Sequence, residues 1–133
     1  ETEPHITVLY GIHTERSSRI RRALEGVKPF TIRLGKSSIF KNADMDVLKV
    51  EVNSPDLFSL NEKLSESLYN TQTHSEYKPH VTLAYLKKEK GDKYKGDKAF
   101  ADEEFEAKKV VFSAWNGVKT PIRLKAEPTS EEP

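Results

Sequence analysis

The chain has 133 residues, enough to bury one core and too few for two independent ones, so a single domain is expected over residues 1–127. Charged residues make up 32%, with 22 Lys+Arg against 21 Asp+Glu and a formal charge of +1. That balance argues against duplex DNA or an anionic membrane as partner and favours a small or short anionic ligand held by a local site. The absence of cysteine rules out disulfide frameworks, thiolate zinc sites and cysteine nucleophiles. No apolar run approaches a membrane span or signal-peptide core, so a soluble, cytoplasmic protein is expected.

In chain order, Pro4 to Ile12 is rich in β-branched and aromatic residues and predicts a strand that stops near Gly11. Thr14, as a candidate N-cap, begins a helix that carries Ile20, Ala23 and Leu24 and stops at Gly26. Phe30 to Leu34, Ser37 to Lys41 and Asp46 to Val52 predict strands of an antiparallel meander, with turns at Gly35 and at Asn42 to Asp44. Ser54-Pro55-Asp56 starts a second helix, in which Leu57, Leu60, Leu64 and Leu68 share one face; it should run to about Tyr69.

A polar connection, Asn70 to Ser75, leads to a strand over Lys78 to Leu86, then to a lysine-rich, mobile loop over Lys87 to Lys98 that includes Tyr94. Phe105 to Trp115 and Val118 to Lys125 read as a closing strand pair around Asn116-Gly117, the tightest hairpin signal in the chain. Residues 128–133 read as a disordered tail.

Two of these segments repeat each other. Pro4-His5-Ile6-Thr7-Val8-Leu9-Tyr10 and Pro79-His80-Val81-Thr82-Leu83-Ala84-Tyr85 share the order Pro, His, β-branched, Thr, aliphatic, any residue, Tyr. With Pro near ~5% of residues, Pro-His-x-Thr at two of four histidines has a chance of roughly one in ten thousand. On a strand, residues two apart share a face about 7 Å apart, so each His points the same way as its own Thr. Two such strands side by side offer two imidazoles and two hydroxyls to one spot.

Cleavage of a phosphodiester needs that set: a neutral imidazole to take a proton from the attacking oxygen, an imidazolium to give one to the leaving oxygen, and donors for the non-bridging oxygens. Histidine does either job near neutral pH. His5, Thr7, His80 and Thr82 are therefore the candidate catalytic residues. No carboxylate-His cluster accompanies the strands, so neither a metal nor another cofactor is expected. His13 and His74 read as surface residues.

Strand parity puts Lys78, His80, Thr82 and Ala84 on one face and Val81, Leu83 and Tyr85 on the other, unless a bulge shifts the register. Tyr85 is then expected in the core, Tyr10 away from His5 and Thr7, and Lys78 and Ala84 beside the site. Tyr94 and Trp115 are candidates to stack on a base.

The two motifs resemble those of the 2H phosphoesterase superfamily, in particular the RNA 2′,3′-cyclic phosphodiesterases or 2′-5′ RNA ligase-like proteins. The resemblance extends to Pro29-Phe30-Thr31-Ile32-Arg33-Leu34, Ile39-Phe40, Asp46 to Val52 and the Leu57 to Leu68 helix, in that order. It implies an α+β fold of two antiparallel-sheet lobes with pseudo-twofold symmetry, helices outside and a central cleft. It also implies a strand ahead of the first motif, for which only four residues precede His5, so the chain is either a fragment of a longer protein or completes that lobe differently. The resemblance makes His5, Thr7, His80 and Thr82 the catalytic four and places Phe40 near the cleft, where it could stack on a base or serve as a core aromatic.

The implied activity is metal-independent cleavage of a nucleotide 2′,3′-cyclic phosphate or a short oligonucleotide phosphodiester. Similar stretches also occur in phage proteins, including enzymes that degrade cyclic oligonucleotide immune signals, which is the second substrate class. A non-catalytic nucleotide-binding module and a phage structural domain are the competing readings from other classes.

Overall fold

The computed structural model describes residues 5–71 and 76–125, so Pro4, His74 and the tail lie outside the described residues. The fold is α+β, with two helices and antiparallel sheets. The chain divides into two compact units, each assembled from separate stretches: Glu1–Thr7, Ile32–Ser54 and Lys78–Phe105 form one, and Val8–Thr31, Pro55–Tyr77 and Glu106–Pro133 the other. Among the described residues no helix is long and apolar enough to cross a membrane.

The first unit is organised by a four-stranded sheet of β1 (Phe30–Lys41), β2 (Met45–Asn53), β3 (His80–Lys87) and β4 (Glu104–Ala107), in the order β3-β2-β1-β4. Where a turn is expected at Gly35, β1 runs on as one strand. The extra residue is absorbed as a bulge between Leu34 and Ser37, which bends the strand without ending it. The turn at Asn42 does form: its side-chain Oδ1 accepts from the backbone N–H of Asp44 at 2.8 Å and of Met45 at 2.9 Å, closing the β1–β2 hairpin.

Partners in antiparallel strands share a face, and the two faces of this sheet differ. One carries Ile32, Ser37, Asp46, Val50 and Val52, all buried. The other carries Ser38, Phe40, Val47, Lys49 and Glu51, all half-buried or exposed.

The lysine-rich loop is tied to the buried side, in contrast to the free loop expected. Gly91 donates its N–H to Asp46 Oδ2 at 2.9 Å, and Ser37 exchanges backbone hydrogen bonds with Gly96 and Asp97. Lys41 adds ion pairs to Asp46, Glu89 and Asp92. The Asp92 carboxylate, with help from Glu89 and Asp46, raises the Lys41 ammonium above its ordinary range. The Gly91 N–H, followed by Glu89 and Lys41, holds the fully buried Asp46 below its ordinary value against the cost of desolvation.

The second unit combines α1 (Ser17–Ala23), α2 (Pro55–Ser67) and a hairpin of β5 (Lys109–Ser113) with β6 (Lys119–Arg123). Its core joins Ile20, Ala23 and Leu24 of the first helical segment, Leu60, Leu64 and Leu68 of the second, and Phe112, Ile122 and Leu124 of the hairpin. The Thr14 hydroxyl accepts from the Arg16 N–H at 3.1 Å, a turn that precedes the helix and delays its start to Ser17. At the far end of α2, Asn70 Nδ2 donates to the Ser65 and Leu68 carbonyls, satisfying acceptors that the last turn leaves open. The segment expected as one strand over Phe105 to Trp115 is two, β4 in the first sheet and β5 in the hairpin. Trp115 lies in the turn closed by Ala114 and Val118.

Candidate active site

The second motif opens β3, which pairs with β2 through Glu51 opposite His80, Val50 opposite Val81 and Lys49 opposite Thr82. Because Val50 is buried, Val81 turns toward the buried side and leaves His80 and Thr82 on the unburied face. The Nδ1 of His80 lies 2.9 Å from the Lys78 carbonyl. A carbonyl only accepts, so Nδ1 carries the proton, and in the neutral ring Nε2 is left with its lone pair.

The first motif is not the regular strand that its composition predicts. Ile6 makes an isolated antiparallel bridge to Val81, and Ile12 a second one to Asn70, with no named strand between them. The physical reason lies at Val8, whose carbonyl accepts a hydrogen bond from Asn61 Nδ2 at 2.7 Å and so belongs to a helix side chain rather than to a ladder. Gly11 then turns the chain at φ +72°, where an added Cβ would lie 2.2 Å from the Thr71 carbonyl oxygen.

One bridge is nonetheless enough to align the motifs. With Ile6 opposite Val81 in antiparallel sense, the backbone between His5 and Thr7 lies alongside the backbone between His80 and Thr82. All four residues fall within the first compact unit.

The parity expected beyond Thr82 fails. The β2–β3 register shifts between Leu48 and Lys49, so that Thr82 faces Lys49 while Ala84 faces Leu48, with Leu83 as the extra residue. Such a bulge reverses every later side chain. Ala84 therefore turns to the buried side, and Tyr85, expected in the core, is 67% exposed opposite Val47, on the face of His80 and Thr82. Val47 also pairs with Phe40, which is 54% exposed. Phe40 and Tyr85 flank one position on the motif face.

Of the other candidates, Lys78 brings its carbonyl to His80. The turn carrying Tyr94 is anchored through Gly91 to the buried side of the sheet, so the structure does not bring it to the motif face. Trp115 belongs to the second unit, 90% exposed at the tip of its hairpin. His13 is exposed, and its Nε2 meets the Thr71 hydroxyl at 2.7 Å. Among the described residues no three His, Asp or Glu side chains gather as metal ligands would.

The fold has a counterpart among solved structures. The chain is similar to the protein TT0787 of Thermus thermophilus, whose crystal structure superposes with a TM-score of 0.62 over 93% of this chain and 79% of that one, at 18% identity. At that identity the likeness is one of fold. No relative is detected among curated proteins. A family model described as the 2′-5′ RNA ligase superfamily matches residues 1–118, a span that includes both His-x-Thr motifs, and the chain belongs to that superfamily.

Proposed function

We propose that the protein is a metal-independent phosphodiesterase that opens a nucleotide 2′,3′-cyclic phosphate or cleaves a short oligonucleotide phosphodiester. The observation that supports this reading is the Ile6–Val81 bridge, which pairs the middle of one His-x-Thr motif with the middle of the other. Water attacks phosphorus as one imidazole takes its proton. The P–O bond to the leaving ribose oxygen breaks as the other imidazole, protonated, supplies that oxygen with a proton. A cyclic phosphate becomes a phosphomonoester, and the two histidines exchange protonation states. Thr7 and Thr82 donate to the non-bridging oxygens, where charge grows. Phe40 and Tyr85 stack on the base, each worth about 1 to 3 kcal/mol.

Supported by the family and by the pairing of the motifs, this reading is tested by incubating the purified protein in EDTA with 2′,3′-cyclic mononucleotides, linear dinucleotides and 3′,3′-cyclic dinucleotides. Turnover of at least one class that survives chelation is expected. Activity lost to EDTA and restored by one divalent ion would refute the metal-independent mechanism.

A further inference from the structure

The motif face extends beyond the four motif residues, and its rows differ in charge. Across the sheet, Thr82 stands opposite Lys49, and Lys49 opposite Ser38. In the adjoining row His80 stands opposite Glu51. Lys49 is half-buried and pairs with no carboxylate among the described residues. Arg33, on the same face, is already engaged by Glu104 and Asp102. Beside Lys49, the buried Ser38 hydroxyl has no hydrogen-bond partner among the described residues, although buried hydroxyls are nearly always satisfied. A half-buried cation next to an unsatisfied hydroxyl, on a row that begins at Thr82, is a site for an anionic oxygen.

We infer that Lys49 and Ser38 form a second phosphate subsite, so that the preferred substrate carries a phosphate beyond the one being cleaved. This rests on the phosphodiesterase reading above and specifies its substrate class. The scissile phosphate sits at the seam between the first motif and β3, whereas Lys49 and Ser38 define the seam between β2 and β1. At about 4.8 Å per strand the two seams are about 10 Å apart. That is too far for a phosphate joined directly through one bridging oxygen, and it brings the next phosphate along a nucleotide chain within reach of the long Lys49 side chain. Glu51 repels an anion at the His80 end of the face, which directs the second phosphate toward Lys49 and gives the bound chain a polarity. The class is therefore an oligonucleotide, linear or cyclic, in preference to a cyclic mononucleotide.

The test measures kcat and KM in EDTA for wild type, Lys49→Met and Ser38→Ala. One substrate is a 2′,3′-cyclic mononucleotide, with one phosphate; the other is a dinucleotide ending in a 2′,3′-cyclic phosphate, with two. Lys49→Met keeps the apolar stem and removes the charge. It is expected to raise KM for the dinucleotide about tenfold or more, as loss of one charge-assisted hydrogen bond would, and to leave the mononucleotide within about twofold. Ser38→Ala should shift the dinucleotide in the same direction by less. An equal loss on both substrates would place Lys49 on the scissile phosphate and overturn the subsite, as would no loss on either. Wild-type protein that turns over neither of these substrates, nor linear or 3′,3′-cyclic dinucleotides, would refute the phosphodiesterase reading itself and the subsite with it.

Discussion

The two motifs are nearly the same heptapeptide, yet they are held in different ways. His80 to Tyr85 lies in a strand laddered along its length to β2, whereas His5 to Tyr10 meets β3 through the isolated Ile6–Val81 bridge. The difference comes from the neighbours. β2 offers the second motif a row of backbone donors and acceptors, while at the first motif the Val8 carbonyl is taken by Asn61. Equal sequences thus present equal side chains from unequal supports. The second motif is held by the sheet, and the supports of the first include the Ile6–Val81 bridge and the hydrogen bond from Asn61.

If the motifs work as an equal pair despite this, removing either imidazole has the largest consequence. His5→Ala and His80→Ala should each slow turnover about 10²- to 10⁴-fold, and the double variant far less than the product of the two, because both act in one step. The wild-type rate should be bell-shaped in pH, since one ring must be neutral while the other is protonated. Near wild-type turnover by both single variants, with folding intact by circular dichroism, would show the histidines to be structural.

A smaller effect separates the supports. Asn61→Ala releases the Val8 carbonyl and should cost about 1 kcal/mol of stability in denaturant melts, the net value of a typical hydrogen bond. It should also speed amide exchange around Ile6 while leaving β3 protected. Equal loosening of both motifs would mean that they share one support.

The smallest effect at neutral pH concerns the sheet under the second motif. Asp46 lies opposite Leu86 of β3, and its lowered carboxyl is held by Gly91 first, then by Glu89 and Lys41. Its contribution is present above the unfolded carboxyl value and is lost as pH falls through the lower, folded one. Asp46→Asn should therefore weaken the protein at pH 7 and flatten the loss of stability on acidification below about pH 4. Parallel acid-titration curves for wild type and variant would count against this role.

How much of this was legible beforehand varied with how local its cause is. The second helix was readable because Leu57, Leu60, Leu64 and Leu68 repeat at helical spacing; the first three are its buried residues, and Leu68 is buried just past its end. The Asn42 turn was readable because an Asn side chain satisfies the backbone beside it. Tyr85 was misplaced because parity counting assumes an unbroken ladder, and a bulge is a property of two strands. The aliphatic residues around Leu83 give no sign of where Lys49 and Leu48 will pair. Lys87 to Lys98 looked free for a related reason: the buried carboxylate that anchors it belongs to Asp46, some 45 positions from Gly91.

The sequence by itself determined which side chains carry the proposed chemistry, because the pattern Pro-His-x-Thr is local and repeated. It also placed both helices and the strands around Asp46 to Val52 and Lys78 to Leu86, since period and turn residues act over a few positions. Only the tertiary structure decided what shares a face with the motifs. Register between strands distant in sequence, set by burial of Val50 and Val52 and shifted at Leu83, turned Tyr85 outward and Ala84 inward. The same register put Lys49 and Ser38 in line with Thr82.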